Sequence, residues 1–263
     1  MAAIFFGGQT KPSARASSIP ANASPLIREE ENIIVNGVSE LWRLEWKSPP
    51  KPACGAAENY MSITCPCSGF AYGESGQLDL VRLVNHHEIE RLELSTFFDD
   101  VPTSEKGSAV VQRWKLTNKD IDKDGSEEFA ARVSLRPSTK IMQFSDFNHD
   151  GLSSEFYIQT ATDPCGKHAG IVVGVTRKNT KLHVFGTALN PDKPLMIHSW
   201  AWDALRKAKV TIEVLDWPCG DHGSDTETDL ELRTVDGAID GIRREYKCTD
   251  ARKRGQLISE SPI

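Results

Sequence analysis

The chain has 263 residues, a formal net charge of −6 and a pI near 5.7, with no basic stripe and no run of lysine or arginine. Nucleic-acid binding, which needs clustered cations to neutralise phosphates, is therefore not expected. No apolar run reaches the length that spans a bilayer, and the chain is long enough for one large β domain or two smaller ones, each with its own core.

Residues 1–30 are rich in Ser, Pro, Ala and Gly without periodicity and read as a flexible leader. The apolar start Met1-Ala-Ala-Ile-Phe-Phe is short and lacks a basic residue, so it is a poor export signal. Residues 31–100 read as a β-hairpin region carrying a cysteine-rich loop. Asn36-Gly37 is the preferred two-residue hairpin turn, between Asn32–Val35 and Val38–Trp46. In the second of these strands Leu41, Arg43 and Glu45 alternate with Trp42, Leu44 and Trp46. Ser48-Pro49-Pro50 then stops the strand. Residues 51–75 hold Cys54, Cys65 and Cys67. The Cys-x-Cys spacing is tighter than that of zinc ribbons and no paired Cys/His set follows nearby, so a loop-stapling disulfide is expected in preference to zinc. Gln77–Val84 and Glu88–Ser95 form a second hairpin around Asn85-His86-His87, read as a solvated turn.

Residues 101–250 read as a β-meander built around one acidic pattern that occurs twice. The first copy is Asp120-Ile-Asp122-Lys-Asp124-Gly125-Ser-Glu127-Glu128-Phe129. The second is Asp146-Phe-Asn148-His-Asp150-Gly151-Leu-Ser-Ser154-Glu155-Phe156, 26 residues further on. Both place oxygen side chains at positions one, three and five and glycine at six. A hard cation such as Ca2+ takes six to eight oxygens at about 2.3–2.6 Å, and alternate inward side chains supply them. Glycine allows the sharp turn around the ion, and Glu128 or Glu155 closes the shell. The candidate metal ligands are thus Asp120, Asp122, Asp124 and Glu128, then Asp146, Asn148, Asp150 and Glu155.

Neither copy is a complete EF-hand, because the twelfth position holds Ala131 or Tyr157 and the flanks read as strands. The pattern resembles the Asp-x-[Asp/Asn]-x-Asp-Gly-x-x-acidic loop of FG-GAP and VCBS repeats, which implies calcium held between two β-strands. The match covers Asp120, Asp122, Asp124 and Glu128, and Asp146, Asn148 and Asp150. The second copy departs at its ninth position, Ser154, with Glu155 one residue late, which implies a weaker site. The chain as a whole resembles secreted bacterial proteins that carry such a segment.

Strands Val110–Leu116, Glu128–Leu135, Thr139–Phe144 and Glu155–Thr162 flank the two loops. As a four-stranded meander they place both loops at one end of a sheet, roughly 10 Å apart at a strand spacing of about 4.8 Å. Downstream, Gly170–Val175 and Lys181–Gly186 flank Arg177-Lys178-Asn179. Ser199–Lys209 reads as the one surface helix, capped by Ser199, with Ala201, Leu205 and Ala208 at helical spacing. Trp200 and Trp202 are expected to pack it onto a sheet, with carbohydrate stacking as a secondary role. Thr211–Trp217, Asp229–Val235 and Ile242–Cys248 read as strands, Asp236-Gly237 as a turn, and residues 251–263 as a C-terminal tail.

Six cysteines (Cys54, Cys65, Cys67, Cys165, Cys219 and Cys248) suit disulfides in an oxidising compartment, although six allow 15 connectivities. Cys165-Gly-Lys-His168 and Cys219-Gly-Asp-His222 share a spacing. A Cys165–Cys219 disulfide is the expected pairing, and a zinc site from those four residues is the alternative. There is no nucleophile elbow, His-Glu-x-x-His, phosphate loop or dinucleotide fingerprint. The acidic run Asp221–Asp229 reads as a solvated loop or a third, irregular cation site, and catalysis by paired carboxylates stays open. The combined expectation is a mainly β protein of antiparallel hairpins, propeller-like or sandwich, with one surface helix. It is read as secreted or periplasmic, with structural Ca2+ ordering a surface for a protein or carbohydrate ligand. The alternatives are an exported hydrolase with structural calcium, and a cytosolic zinc protein with reduced cysteines.

Overall fold

The computed structural model describes residues 25–55, 72–98, 107–114, 140–163 and 167–263. The architecture is mainly β, antiparallel throughout its ladders, with one α-helix among the described residues. The first sheet, ordered β1-β2-β5-β6, joins β1 (Leu26–Val35), β2 (Val38–Trp46), β5 (Leu78–Val84) and β6 (His87–Glu93). A small sheet joins β3 (Lys51–Ala53), β4 (Gly73–Gly76) and β7 (Ala109–Gln112). The central ribbon pairs β8 (Glu155–Asp163) with β9 (Lys167–Gly174), and β9 also pairs with the short β10 (His183–Val184) and β11 (Ile197–His198). Helix α1 (Ser199–Lys207) leads to the last sheet: β12 (Ile212–Trp217), β13 (Thr226–Val235), β14 (Ala238–Cys248) and β15 (Arg254–Pro262). No sheet among the described residues closes into a barrel.

The hairpin turns follow the residue chemistry. Asn36-Gly37, Asn85-His86 and Asp236-Gly237 all have positive φ at both central positions, which matches the right-handed strand twist. His87, expected in its turn, is the first residue of β6 and is exposed. β9 explains how the layers stack. Ile171 and Val173 point into a core formed with Trp42, Leu44, Leu78 and Leu80 of the first sheet. Val172, on the other face, joins Trp202 and Leu205 of α1 and Leu230 and Leu232 of β13. A strand buried on both faces loses the polar alternation of a surface strand and reads as a continuous apolar run.

Several sequence expectations are corrected. β1 begins at Leu26, inside the stretch read as a leader, and its charged residues Arg28 and Glu29 are buried at a β-bulge. Glu29 accepts hydrogen bonds from the N–H groups of Ile141 and Met142, both at 2.9 Å. Those amides are therefore satisfied by a side chain. Accordingly, residues 140–144, expected as a strand, form no ladder; only Ser145 bridges to Glu155. Residues 254–262, inside the expected tail, form β15 on β14. The hairpin expected from Lys181–Gly186 reduces to the two residues of β10. Helix α1 starts at Ser199, with His198 as its N-cap residue, and ends at Lys207 because Ala208 is extended.

The disulfide pairing also differs. Cys219 bonds Cys248, Cα–Cα 5.6 Å, because the β13–β14 register returns Cys248 beside the start of β13, where its N–H meets the Asp225 carbonyl at 2.8 Å. The expected Cys165–Cys219 bond is thereby excluded. Cys54 is also disulfide-bonded, while Cys65, Cys67 and Cys165 lie outside the described residues.

His198 ties the layers together. Its Nδ1 lies 2.7 Å from Asp216 on β12, its Nε2 lies 3.0 Å from Asp163 on β8, and its ring stacks on Trp200 at 4.1 Å. Burial alone would lower its pKa, but the two carboxylates outweigh burial and push it up to about 9. The folded value exceeds the unfolded one, so the stabilisation is full below about pH 6.5 and is lost as pH rises through about 9. Denaturant titrations across this window should show a decline on the order of 2–3 kcal/mol. His198→Gln should flatten that slope; an unchanged slope in the variant would assign it to another group.

Candidate functional site

The second acidic loop is closed at its base by the Ser145–Glu155 bridge. Within it the side chains organise the backbone before any ligand is considered. Asp146 accepts the N–H groups of Asp150 at 3.0 Å and Gly151 at 2.9 Å. Asn148 Oδ1 accepts the Asp150 N–H at 3.1 Å, and Asp150 Oδ1 accepts the Leu152 N–H at 2.8 Å. Gly151 has φ +83°, the turn that position six requires. Phe147 and Leu152 anchor the loop in the two separate cores. His149 reaches the Leu205 carbonyl of α1 at 2.8 Å, so its Nε2 carries the proton.

The carboxylates of Asp146, Asp150 and Glu155 offer oxygens that all lie within 4.8 Å of one another. Glu155 is fully buried. Its Oε2 accepts the Phe147 N–H at 2.6 Å, while Oε1 has no hydrogen-bond partner. Burial, and then the neighbouring charges of Asp150 and Asp146, push its pKa up to about 9 against the pull of the Phe147 and Asn148 N–H groups. Ser154, at the ninth position, instead donates its hydroxyl to the Val175 carbonyl at 2.9 Å. The one-residue delay of the closing carboxylate therefore has a cause: position nine anchors β8 to the next turn, and position ten faces the loop.

The sequence-derived residues Asp146, Asn148, Asp150 and Glu155 are thus brought together, with Asn148 fully buried beside them. Asp120, Asp122, Asp124 and Glu128 lie outside the described residues. Two contributors came from segments that loop spacing could not link to the site. The Asp150 Oδ2 atom accepts the Arg177 N–H at 2.7 Å, and Arg177 Nη2 donates to the Gly151 carbonyl at 3.1 Å. The β13–β14 turn also docks on the loop, with Asn148 Nδ2 donating to the Gly237 carbonyl at 3.0 Å. Arg177 and Gly237 had been read only as turn residues, and no local signal marks their contact with the loop.

Other candidate sites are resolved differently. With Cys219 in a disulfide, the four-residue zinc set loses a thiolate, and His222 sits against Trp217 at 6.1 Å. The acidic run is absorbed by internal cations. Asp221 pairs with Lys167, and Arg254 pairs with Glu227 and Asp229, each at 2.5 Å. Its second half, Thr226–Asp229, belongs to strand β13, and Asp221–Gly223 is a short 3-10 turn. Comparison with protein-family models, curated proteins and solved structures found no match.

Gly237 and Gly37 allow a controlled test of the docking. Both occupy the second position of a two-residue turn with φ near +80°, at +79° and +83°. A Cβ on Gly37 meets nothing within 4 Å, whereas one on Gly237 lies 3.2 Å from the Asp150 Cβ. Gly37→Ala should cost about 1 kcal/mol from backbone strain alone. Gly237→Ala should cost about 1 kcal/mol more, because the turn must lift off the loop. Equal losses in chemical denaturation would show that the turn contributes no packing there.

Proposed function

We propose that the chain is a calcium-binding β protein of the extracellular or periplasmic space, in which the acidic loops hold structural Ca2+. The observation that carries this reading is the unpartnered Glu155 Oε1. A fully buried carboxylate oxygen without a donor, facing two further carboxylates within 4.8 Å, is costly unless a proton or a cation neutralises it, and a cation serves all three carboxylates at once. Calcium fits the donors, since all are hard oxygens and neither a thiolate nor an imidazole is among them. The resemblance to FG-GAP and VCBS loops supports the same ion, and extends it to Asp120, Asp122, Asp124 and Glu128.

Bound calcium would pin the entry to β8 and hold the Arg177 loop and the β13–β14 turn against it. This orders a surface for a ligand, protein or carbohydrate. The Cys219–Cys248 disulfide and the bonded Cys54 favour an oxidising compartment. No helix among the described residues is long and apolar enough to cross a membrane. A hydrolase reading gains little from the best histidine, because both ring nitrogens of His198 are engaged by carboxylates and neither is free to activate a nucleophile.

Calorimetric titration with calcium should reveal two sites, the first loop tighter, and a melting temperature that rises on binding. Asp146→Asn should remove the weaker site, and Asp120→Asn with Asp122→Asn the tighter. Glu155→Gln should act in opposite directions: a higher melting temperature in chelator, where it relieves the carboxylate cluster, and no calcium stabilisation from this loop. Absence of heat and of stabilisation at millimolar calcium would end the proposal.

A further inference from the structure

Building on the reading that the Asp146–Glu155 loop holds a calcium ion, we infer that Asp236, on the turn between β13 and β14, gives a carboxylate oxygen to the same ion. The cation is then shared between the loop and the last sheet. One half of the argument is the Glu155 carboxyl, which is fully buried and whose unpartnered Oε1 faces the cluster formed with Asp146 and Asp150. The other half is the docking of a turn distant in sequence on that cluster.

A cleft of about 680 Å3 lies over the loop, and Asp236 and Gly237 line it together with Asp146, Asn148 and Asp150. Among the described residues, Asp236 is the one carboxylate of this cleft that comes from outside the loop. The turn is fixed at short range. Asn148 Nδ2 donates to the Gly237 carbonyl at 3.0 Å, and a Cβ on Gly237 would lie 3.2 Å from the Asp150 Cβ and 4.0 Å from its Oδ2. Asp236 is the adjoining residue, about 3.8 Å away from Cα to Cα. Its φ of +52° is the left-handed conformation that the first position of this turn requires. The side chain is exposed and forms no hydrogen bond or ion pair among the described residues. Asp236 stands outside the group of oxygens that lie within 4.8 Å of one another. A change of rotamer brings it in, with no contact to break.

Two requirements of the ion select this residue. Asp146, Asn148, Asp150 and Glu155, giving one oxygen each, supply fewer than the six to eight that calcium takes. Glu155 is buried beneath the loop, so the vacant positions open toward the cleft and the docked turn. The second requirement is charge. The carboxylates of Asp146, Asp150, Glu155 and Asp236 are bordered by the cations of Arg177, Lys178 and Lys209, while His149, bonded to the Leu205 carbonyl, is counted neutral. A dication takes this set from one negative charge to one positive. Without Asp236 the loaded site would carry two positive charges, so the fourth carboxylate keeps it closer to neutral. Ligation and docking are then reciprocal: calcium tightens the turn on the loop, and the docked turn tightens calcium.

The test uses the full chain carrying Asp120→Asn and Asp122→Asn, so that only the second loop reports. Calcium affinity is measured calorimetrically, and the waters bound to terbium in the same site are counted from its luminescence lifetimes in light and heavy water. Asp236→Gly removes the side chain and leaves a Gly-Gly pair, which this turn type accepts. It should weaken the calcium Kd about tenfold and admit an additional water to the terbium ion. Asp236→Asn keeps the turn and an oxygen, so it should leave the water count as it was and weaken the Kd less. A weaker Kd with an unchanged water count in Asp236→Gly shows that Asp236 acts through its field alone, which overturns the ligand assignment. An unchanged Kd overturns it as well, and in both cases calcium still binds and the cation reading stands. Absence of calcium and terbium binding before Asp236 is changed overturns the cation reading itself.

Discussion

The constraint on which the site depends is the burial of the Glu155 carboxylate at the first residue of β8. The side chain cannot leave, because the start of the central ribbon is packed too tightly around it. A Cβ on Gly174 would fall 2.3 Å from the Ser154 carbonyl oxygen and 2.8 Å from the Glu155 Cα, so only glycine allows β9 to come this close. Ser154 is fastened to Val175 from the same side. Desolvating an ionised carboxylate costs several kcal/mol, and Asp146 and Asp150 add repulsion. The N–H groups of Phe147 and Asn148 offset only part of this. A proton, in keeping with the raised pKa of this carboxyl, or a divalent cation would offset the remainder, and this imbalance is why the loop is proposed as a metal centre.

The loop is also a junction. Phe147 meets Trp202 edge-on at 6.0 Å in the core shared with α1 and the last sheet, while Leu152 packs in the core shared with the first sheet. Arg82 extends the link on the other side. It grips Glu40 through two bonds of 2.7 and 2.8 Å and donates to the Thr180 carbonyl at 2.6 Å, fixing the turn that carries Arg177 and Lys178. A cation in the loop would therefore be felt by all three layers. Local neutralisation at one end of β8 becomes a constraint on how the sheets meet.

What was legible in the sequence were features with a local physical signature. Alternation and Asn-Gly or Asp-Gly turns placed the hairpins of β1–β2 and β13–β14, and the spacing of Asp146, Asn148, Asp150 and Gly151 marked residues that the fold gathers into one acidic cluster. Glu155 was read as the closing carboxylate although it falls one position late, and it lies in the cluster. What stayed hidden depended on partners distant in sequence. Arg28 and Glu29 look like solvated leader residues until Glu29 is seen serving the amides of Ile141 and Met142. Cys248 could not be matched with Cys219 without the register of β13 and β14. The docking of Arg177 and Gly237 on the loop is set by layer packing, to which turn chemistry is blind.

The most direct measurement is a crystal structure of the protein grown with calcium, with a second data set after lanthanide substitution. An anomalous peak bounded by Asp146, Asn148, Asp150 and the Oε1 atom of Glu155, at oxygen distances of about 2.3–2.6 Å for calcium, is the predicted result. A map with no peak there, and Glu155 protonated and hydrogen-bonded to Asp146 or Asp150, would contradict the cation reading at its root.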